Sequence, residues 1–461
     1  MISSILKVVI SNIVMLISNI VLGLVLPIYL TVADYGEYRL FLFYVGYIGV
    51  LHFGFIDTIY LKYGGKNKED IDKQLLKKEH RVFWMYQLTI SFVFLLVALV
   101  SYNYIMLLIS LIIVPLNLGS FHKLFYQATG QFRKYSYLNI LLTSLNLIFV
   151  FILLVNKIQD ALSYILITVL VHIIILIILE IDFYRFSKGV GANGEVNILK
   201  YIKVGIFVLL GNIFSLLITS IGRWIVQFHF SIEEFAYYSF SIVLMNLILL
   251  IINSIGLTFY NYIAKNENRD MLILVKNILI VLGAYAGGSY FFLDLIVRLL
   301  IPKYDVALSL IAISYISFPY LMIINVILIN LYKARKNEKR YFKVILIIFL
   351  LSVILNILAL MIFNSMESIA CATLVTIIVW YFYSIEKDFR FLRSSLNEIV
   401  FLIAHVLSFI IAVNLFSSFI GCILYFIIIT FLSIAFYKAE IVIIRNRTLF
   451  QFKVNKKRRS L

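Results

Sequence analysis

The chain has 461 residues, of which 63% are hydrophobic and only 14% are charged. A water-soluble domain has about 45–50% apolar and about 25% charged residues, so this composition excludes a soluble globular protein. It predicts an all-α protein that crosses a lipid bilayer many times. The net charge of +17 does not indicate nucleic acid as a partner, because the basic residues lie in short segments between apolar stretches.

Apolar stretches of about 20 residues, each long enough to cross the hydrocarbon core, recur along the whole chain. The first, within 1–30, is longer than the apolar region of a cleavable signal and is predicted to be a retained span. About 14 transmembrane helices are predicted, at residues 5–32, 38–62, 82–101, 104–127, 137–156, 161–182, 204–230, 236–262, 272–293, 307–332, 343–363, 366–385, 398–415 and 418–437.

Lysine and arginine test this map, because they concentrate on the cytoplasmic side of a membrane. If the first segment is cytoplasmic, 35 of the 40 basic residues lie inside. This asymmetry predicts that both termini are cytoplasmic and that the number of spans is even. The tail at 438–461, which ends in four basic residues at 456–459, is interpreted either as a contact with anionic membrane lipids or as a topology anchor.

Two registers of internal similarity indicate a repeat. At an offset of 200, the aromatic entry to the second span at 33–38 matches that of the eighth span at 233–238. At an offset of 206, Tyr126 matches Tyr332, and the Glu-x-Asp-Phe sequence at 180–183 matches 386–389. Six spans per copy make the copies parallel. Substrate would then bind in a central cavity between two lobes.

The repeat predicts five segments. They are an N-terminal six-helix lobe at 1–182, a cytoplasmic linker at 183–203, a C-terminal six-helix lobe at 204–385, two additional helices at 386–437 and the basic cytoplasmic tail at 438–461.

Three features together resemble the Wzx-type polysaccharide flippases of the multidrug/oligosaccharidyl-lipid/polysaccharide exporter superfamily. They are the Asp-Tyr-Gly-Glu-Tyr entry at 34–38, the Tyr-Gln-Ala-Thr-Gly-Gln-Phe-Arg-Lys-Tyr turn at 126–135 with its copy at 332–341, and an arginine in the seventh span. The resemblance covers roughly residues 1–440. It implies a secondary flippase, without covalent chemistry, for undecaprenyl-diphosphate-linked oligosaccharide. Such a protein serves O-antigen, capsule or exopolysaccharide assembly in a bacterial cytoplasmic membrane.

Arg223 is the foremost candidate for binding the diphosphate. It lies about 28 Å along the seventh span, counted at 1.5 Å per residue, and charges within spans are costly enough to be functional candidates. Its planar guanidinium suits phosphate oxygens, although it could instead extend to the outer interface. The family pattern leads us to expect an aspartate beside this arginine, and Gly222 stands there instead.

Coupling or gating is assigned to four residues of the second span. Asp57 could bind a proton or cation, or could pair with Lys62. His52, five residues earlier and therefore not on a closely adjacent helix face, is either a packed histidine or a proton carrier. Glu37 and Arg39 could gate the outer end of the span or pair with each other.

Further substrate contacts are predicted from lysines and amides. Lys7 and Lys123 flank cytoplasmic openings, where they could attract phosphate or serve as topology anchors. Amides within spans could bind sugar hydroxyls or join helices to each other. The amides are Asn12, Asn19, Asn212, Asn246 and Asn253.

No cofactor is predicted, because the sequence contains no phosphate-binding loop of ATPases, and no metal site, because its six histidines are scattered. The predicted partners are the lipid-linked oligosaccharide, membrane lipids and the polymerase and glycosyltransferases of the pathway. Three other functions stay open: a membrane polymerase or ligase, a drug or cation exporter, and a lipid II flippase. The short outer connections favour a transporter over an enzyme.

Overall fold

The computed structural model describes residue 15 and residues 17–265, 267–335 and 337–459, with some side chains in these ranges left out. Every regular element within them is a helix. The predicted all-α fold class is therefore confirmed.

The chain divides into two compact units. Unit 1 comprises residues 1–216 and 230–236, and unit 2 comprises 217–229 and 237–461. The five-segment division predicted from the repeat remains a prediction.

Eight helices begin in unit 1, and the eighth continues into unit 2. They are α1 (Ile17–Tyr29), α2 (Val32–Ile48), α3 (Phe55–Tyr63), α4 (Lys73–Ser101), α5 (Tyr104–Ala128), α6 (Phe132–Val155), α7 (Ala161–Phe186) and α8 (Ile198–His229).

Nine helices follow. The ninth starts in unit 1, and the others lie in unit 2. They are α9 (Ile232–Lys265), α10 (Arg269–Gly287), α11 (Tyr290–Leu300), α12 (Ala307–Tyr315), α13 (Phe318–Ala334), α14 (Glu338–Phe363), α15 (Met366–Lys387), α16 (Leu396–Leu415) and α17 (Ser418–Arg459).

Ten helical segments of the described chain are long and apolar enough to cross a membrane, or up to 13 if each bent helix pair counts as one span. Of the first predicted span, 5–32, residues 5–14 and 16 lie outside the described residues. Large apolar side chains such as Val100, which is 82% exposed, and Phe419 point outward from single helices. Such exposure suits lipid as the solvent.

The starts of several spans follow from capping residues in the sequence. Thr31, Asp72, Asn103 and Asp160 each accept a hydrogen bond from a backbone N–H in the first turn of the following helix. Such side chains satisfy donors that have no partner within the helix. At the other end of the chain, Tyr437 has a non-helical backbone (φ −128°), which interrupts α17 where the last span was predicted to end.

Candidate functional site

The second predicted span is broken in its middle. Phe53 and Gly54 both adopt left-handed backbone conformations, with φ of 47° and 84°. The segments Val32–His52 and Phe55–Tyr63 consequently meet at an angle of 63°. The single helix predicted at 38–62 is therefore wrong, because two consecutive left-handed residues cannot continue a right-handed helix.

Amide side chains bind the backbone at this break. Gln87 of α4 donates to the carbonyl of Leu51 at 3.2 Å, and Asn117 of α5 donates to that of Ile48 at 3.4 Å and to Gln87 Oε1 at 2.7 Å. An interrupted helix within a membrane needs such partners, because lipid supplies none for the freed carbonyls.

His52 and Asp57 meet at the break. His52 Nδ1 lies 3.8 Å from Asp57 Oδ2, and the two side chains are only 11% and 13% exposed. Within the described part of the chain, Asp57 Oδ2 is buried without a hydrogen-bond donor, while His52 Nδ1 accepts the N–H of Gly54 at 3.0 Å. The expectation that these side chains lie on separate faces was wrong, because it assumed an unbroken helix.

Lys62 does not pair with Asp57, the partner considered from the sequence, but with another carboxylate. Its ammonium contacts Glu79 of α4, which is fully buried, and donates to the hydroxyl of Tyr201 at 2.9 Å. Tyr63 donates to the other oxygen of Glu79 at 2.7 Å. The pairing of Lys62 with Asp57 is therefore wrong, and Asp57 keeps its buried oxygen available.

Two glycines bring α3 and α8 into direct backbone contact. A Cβ at Gly54 would overlap the backbone of Gly205, and a Cβ at Gly205 would overlap the carbonyl of Gly54. Beside this contact, Thr58 donates to the carbonyl of Tyr201 at 2.6 Å. The approach fixes the segment that carries Asp57 against the start of α8.

Glu37 and Arg39 do not pair with each other. Glu37 accepts the hydroxyl of Tyr104, and the Arg39 guanidinium lies 5.9 Å from the ring centre of Tyr35. Residues two apart point to different sides of a helix, which explains the correction. Among the described residues, the buried Nε of Arg39 has no hydrogen-bond acceptor.

Lys123 lies within α5 and is half-buried. Its charge acts on His172 of α7, and no carboxylate of the described residues forms an ion pair with it. A cation in this state can take an anion from outside the protein. Lys7, which received the same predicted role, lies outside the described residues.

Arg223 lies in the part of α8 that belongs to unit 2, where it is half-buried and acts electrostatically on Tyr238 of α9. Its neighbour Gly222 is the departure from the family pattern. A Cβ at Gly222 would overlap the hydroxyl of Tyr238 and would lie 3.0 Å from Ile369 of α15. No aspartate fits at this position, because two other helices occupy the space.

Replacing Gly222 with alanine is expected to destabilise the protein by about 1–3 kcal/mol, the usual cost of overpacking. The measurement is the thermal unfolding midpoint of the purified protein. Gly119→Ala is the matched control, because nothing lies within 4 Å of a Cβ there. An unchanged midpoint for Gly222→Ala would contradict the close packing.

The predicted amides are only partly described. Asn12 and the side chain of Asn212 lie outside the described residues, whereas Asn19, Asn246 and Asn253 are exposed. Asn246 and Asn253 are seven residues apart on α9 and therefore share one helix face. None of these positions tests the predicted contact with sugar.

The matched positions of the predicted repeat make matching contacts. In unit 1, Tyr126 donates to Asp182 at 2.7 Å, and Lys134 contacts the same carboxylate. In unit 2, the residues at an offset of 206 do the same. Tyr332 donates to Asp388 at 2.5 Å, and Arg340 donates to the same carboxylate at 2.8 Å. In each unit, the tyrosine, the basic residue and the aspartate join the ends of neighbouring helices.

A second buried ion pair lies in unit 2. Lys276 of α10 contacts Glu398 of α16 at 2.5 Å, and their side chains are 3% and 1% exposed. Ser394 donates to Glu398 at 2.6 Å, and Tyr381 also donates to it. Lys276 and Glu398 both lie inside helices, so this pair joins α10 to α16.

The search against protein-family models gave no match, and no curated protein matches the chain. Solved structures do match. The lipid II flippase MurJ in an inward closed conformation superposes with a TM-score of 0.68 at 13% identity, over 96% of this chain and 100% of that one. A MATE protein in complex with Br-NRF gives a TM-score of 0.40 at 10% identity, over 81% and 93% of the two chains. The chain is thus a multi-pass membrane protein with the fold of MurJ.

Proposed function

We propose that the protein is a secondary flippase that moves undecaprenyl-diphosphate-linked oligosaccharide across a bacterial cytoplasmic membrane. The observation that carries this proposal is the superposition on a lipid flippase over nearly the whole of both chains. We further propose that both termini are cytoplasmic, that the two units act as the two lobes of an alternating-access transporter, and that the polymerase and glycosyltransferases of the pathway are functional partners.

The chemistry of the substrate supports this reading. A diphosphate within a membrane needs cationic donors, and a charge held within a span is costly unless it serves such a role. The half-buried Lys123 and Arg223 are cations of this kind, and we assign them to the diphosphate. Asn212 and Asn253 are proposed to bind its sugars through their amides.

Coupling is proposed to use the His52–Asp57 pair, with Glu37 and Arg39 gating the opposite end of α2. A carboxylate oxygen that is buried without a donor favours binding a proton or a small cation. The pair lies at the break, where the helical backbone hydrogen bonds are interrupted.

Asp57→Asn is expected to abolish the acceleration of transport by an imposed proton or sodium gradient, because an amide takes up no proton and lacks the negative charge that attracts a sodium ion. Downhill exchange without a gradient should stay close to the wild-type rate. The measurement is flipping of a fluorescent lipid-linked oligosaccharide in proteoliposomes. Asp70→Asn is the control, because Asp70 is exposed and hydrogen-bonded by Asn67. Gradient-driven acceleration that survives in Asp57→Asn would remove Asp57 from coupling.

Lipid II is the second candidate substrate, since the matched structure is that of a lipid II flippase. Both substrates share the undecaprenyl diphosphate and differ in the sugar. Proteoliposomes containing either lipid, with outward exposure measured by a membrane-impermeant lectin or enzyme, distinguish them. Faster flipping of the oligosaccharide lipid supports the proposal, faster flipping of lipid II supports the second candidate, and flipping of neither would overturn both.

A further inference from the structure

Three side chains that are distant in sequence converge in unit 1. His80 of α4 and His122 of α5 both approach the same carboxylate oxygen of Glu180 on α7, with Nε2···Oε1 distances of 2.9 and 3.2 Å. One ligand atom from each residue lies within 4.8 Å of the other two. Sequence reasoning missed this cluster because intervals of 42 and 58 residues match no metal-binding motif.

The spacing of these atoms is close to that of a metal site. Zinc lies about 2.0–2.2 Å from imidazole nitrogen and carboxylate oxygen, so tetrahedral ligand atoms are about 3.4 Å apart. The two nitrogen–oxygen distances, 2.9 and 3.2 Å, are up to about half an ångström shorter than this value. Two histidines and one carboxylate are also a ligand set that leaves a fourth position open.

The surroundings are enclosed on one side and open on the other. The rings of Phe121 and Phe183 pack against His80, with centroids 5.5 and 4.3 Å away. The imidazoles are 9% and 1% exposed, whereas Glu180 is 32% exposed. Glu180 and His80 line a recess of about 260 Å³, through which an ion and a water molecule could enter.

Two basic residues also line this recess, and they oppose the entry of a cation. Lys77 is directed to backbone oxygens, since it donates to the carbonyl of Val190 at 2.8 Å. Arg81 is exposed to solvent, where its charge is largely screened. Neither forms an ion pair with Glu180 among the described residues.

The matched positions of the predicted repeat carry no such cluster. At an offset of 206, the position of His122 is taken by Leu328, which is fully buried. The position of Glu180 is taken by Glu386, which pairs with Arg393 at 3.1 Å. Helix packing at these positions is therefore possible without polar ligands, and the two histidines call for an explanation of their own.

We infer that His80, His122 and Glu180 form a binding site for one divalent transition-metal ion of the zinc class, which joins α4, α5 and α7. A bound ion replaces the hydrogen bonds between the imidazoles and the carboxylate. The proton that each Nε2 gives up is carried by Nδ1 in a neutral ring and goes to solvent from a doubly protonated ring. A water molecule from the recess completes the coordination.

To test this, the purified full-length protein is titrated with Zn²⁺ alone. The protein carries no histidine tag and has been stripped of metal by a chelator. Calorimetry is expected to show one equivalent bound, with a higher thermal unfolding midpoint. Co²⁺ in place of Zn²⁺ should give the visible absorption of a tetrahedral site. This result does not depend on transport, so it stands or falls separately from the proposed function.

His122→Gln and Glu180→Gln are expected to weaken Zn²⁺ binding about tenfold or more, since even loss of an outer-shell partner costs 10- to 100-fold. His172→Gln is the control, because His172 lies on α7 with Glu180 but bonds only the carbonyl of Thr168. Circular dichroism would verify that each variant is folded. Absence of stoichiometric binding to the wild type, or full binding to folded His122→Gln, would overturn the site.

Discussion

Arg223→Ala is expected to lower the export of the glycan about 10- to 100-fold, while the protein accumulates at its normal level. A hydrogen bond to a charged group is worth about 1.5–3 kcal/mol, and alanine removes the charge together with all the donors of the guanidinium. The measurement is surface glycan per cell, normalised to the amount of protein in the membrane.

Two further variants separate binding from stability. Arg223→Lys keeps the charge but loses the planar fork, so it should fall between the wild type and alanine. Arg393→Ala is the matched control, because Arg393 is largely exposed and its partner Glu386 is exposed as well. Unchanged glycan in Arg223→Ala would exclude this residue from the substrate site.

The largest loss of stability is expected from Lys276→Met. The substitution leaves the carboxylate of Glu398 buried without its cation, and breaking a buried pair from one side costs about 3–5 kcal/mol. The unfolding midpoint of the purified protein should fall accordingly. Transport measured well below that midpoint should persist, since neither residue is assigned to the substrate.

Arg393→Met provides the comparison on the same side of unit 2. Arg393 and Glu386 form an exposed pair, and such pairs contribute about 0–1 kcal/mol. The double variant Lys276→Met/Glu398→Gln should recover part of the loss, because it leaves no isolated charge. If Lys276→Met and Arg393→Met had equal midpoints, the buried pair would not contribute as described.

Helix positions were predictable because they depend on local composition. Apolar runs give the starts and ends of most spans within a few residues. One exception is α4, which begins at Lys73 rather than at 82. Tyr126 and Tyr332 each bond the aspartate 56 residues later, which agrees with the predicted repeat; the repeat itself stays a prediction.

The pairing of charged side chains was not predictable, because it depends on which helices become neighbours. Lys62, which was considered a partner of Asp57, pairs with Glu79 of α4, and Lys276 pairs with Glu398 of α16. The break at Gly54 was hidden for a related reason. Glycine permits a left-handed conformation without requiring it, and it is tertiary contacts, among them those of Gln87 and Asn117, that stabilise the interrupted backbone.

The meeting of Gly54 and Gly205 has an evolutionary consequence. A side chain at either position would separate α3 from α8, so a single substitution cannot be accommodated by choosing a different rotamer. Descendants of the same ancestor should therefore retain hydrogen as the side chain at both sites, even where overall identity has decayed. A homologue with alanine at either position would need a larger distance between α3 and α8.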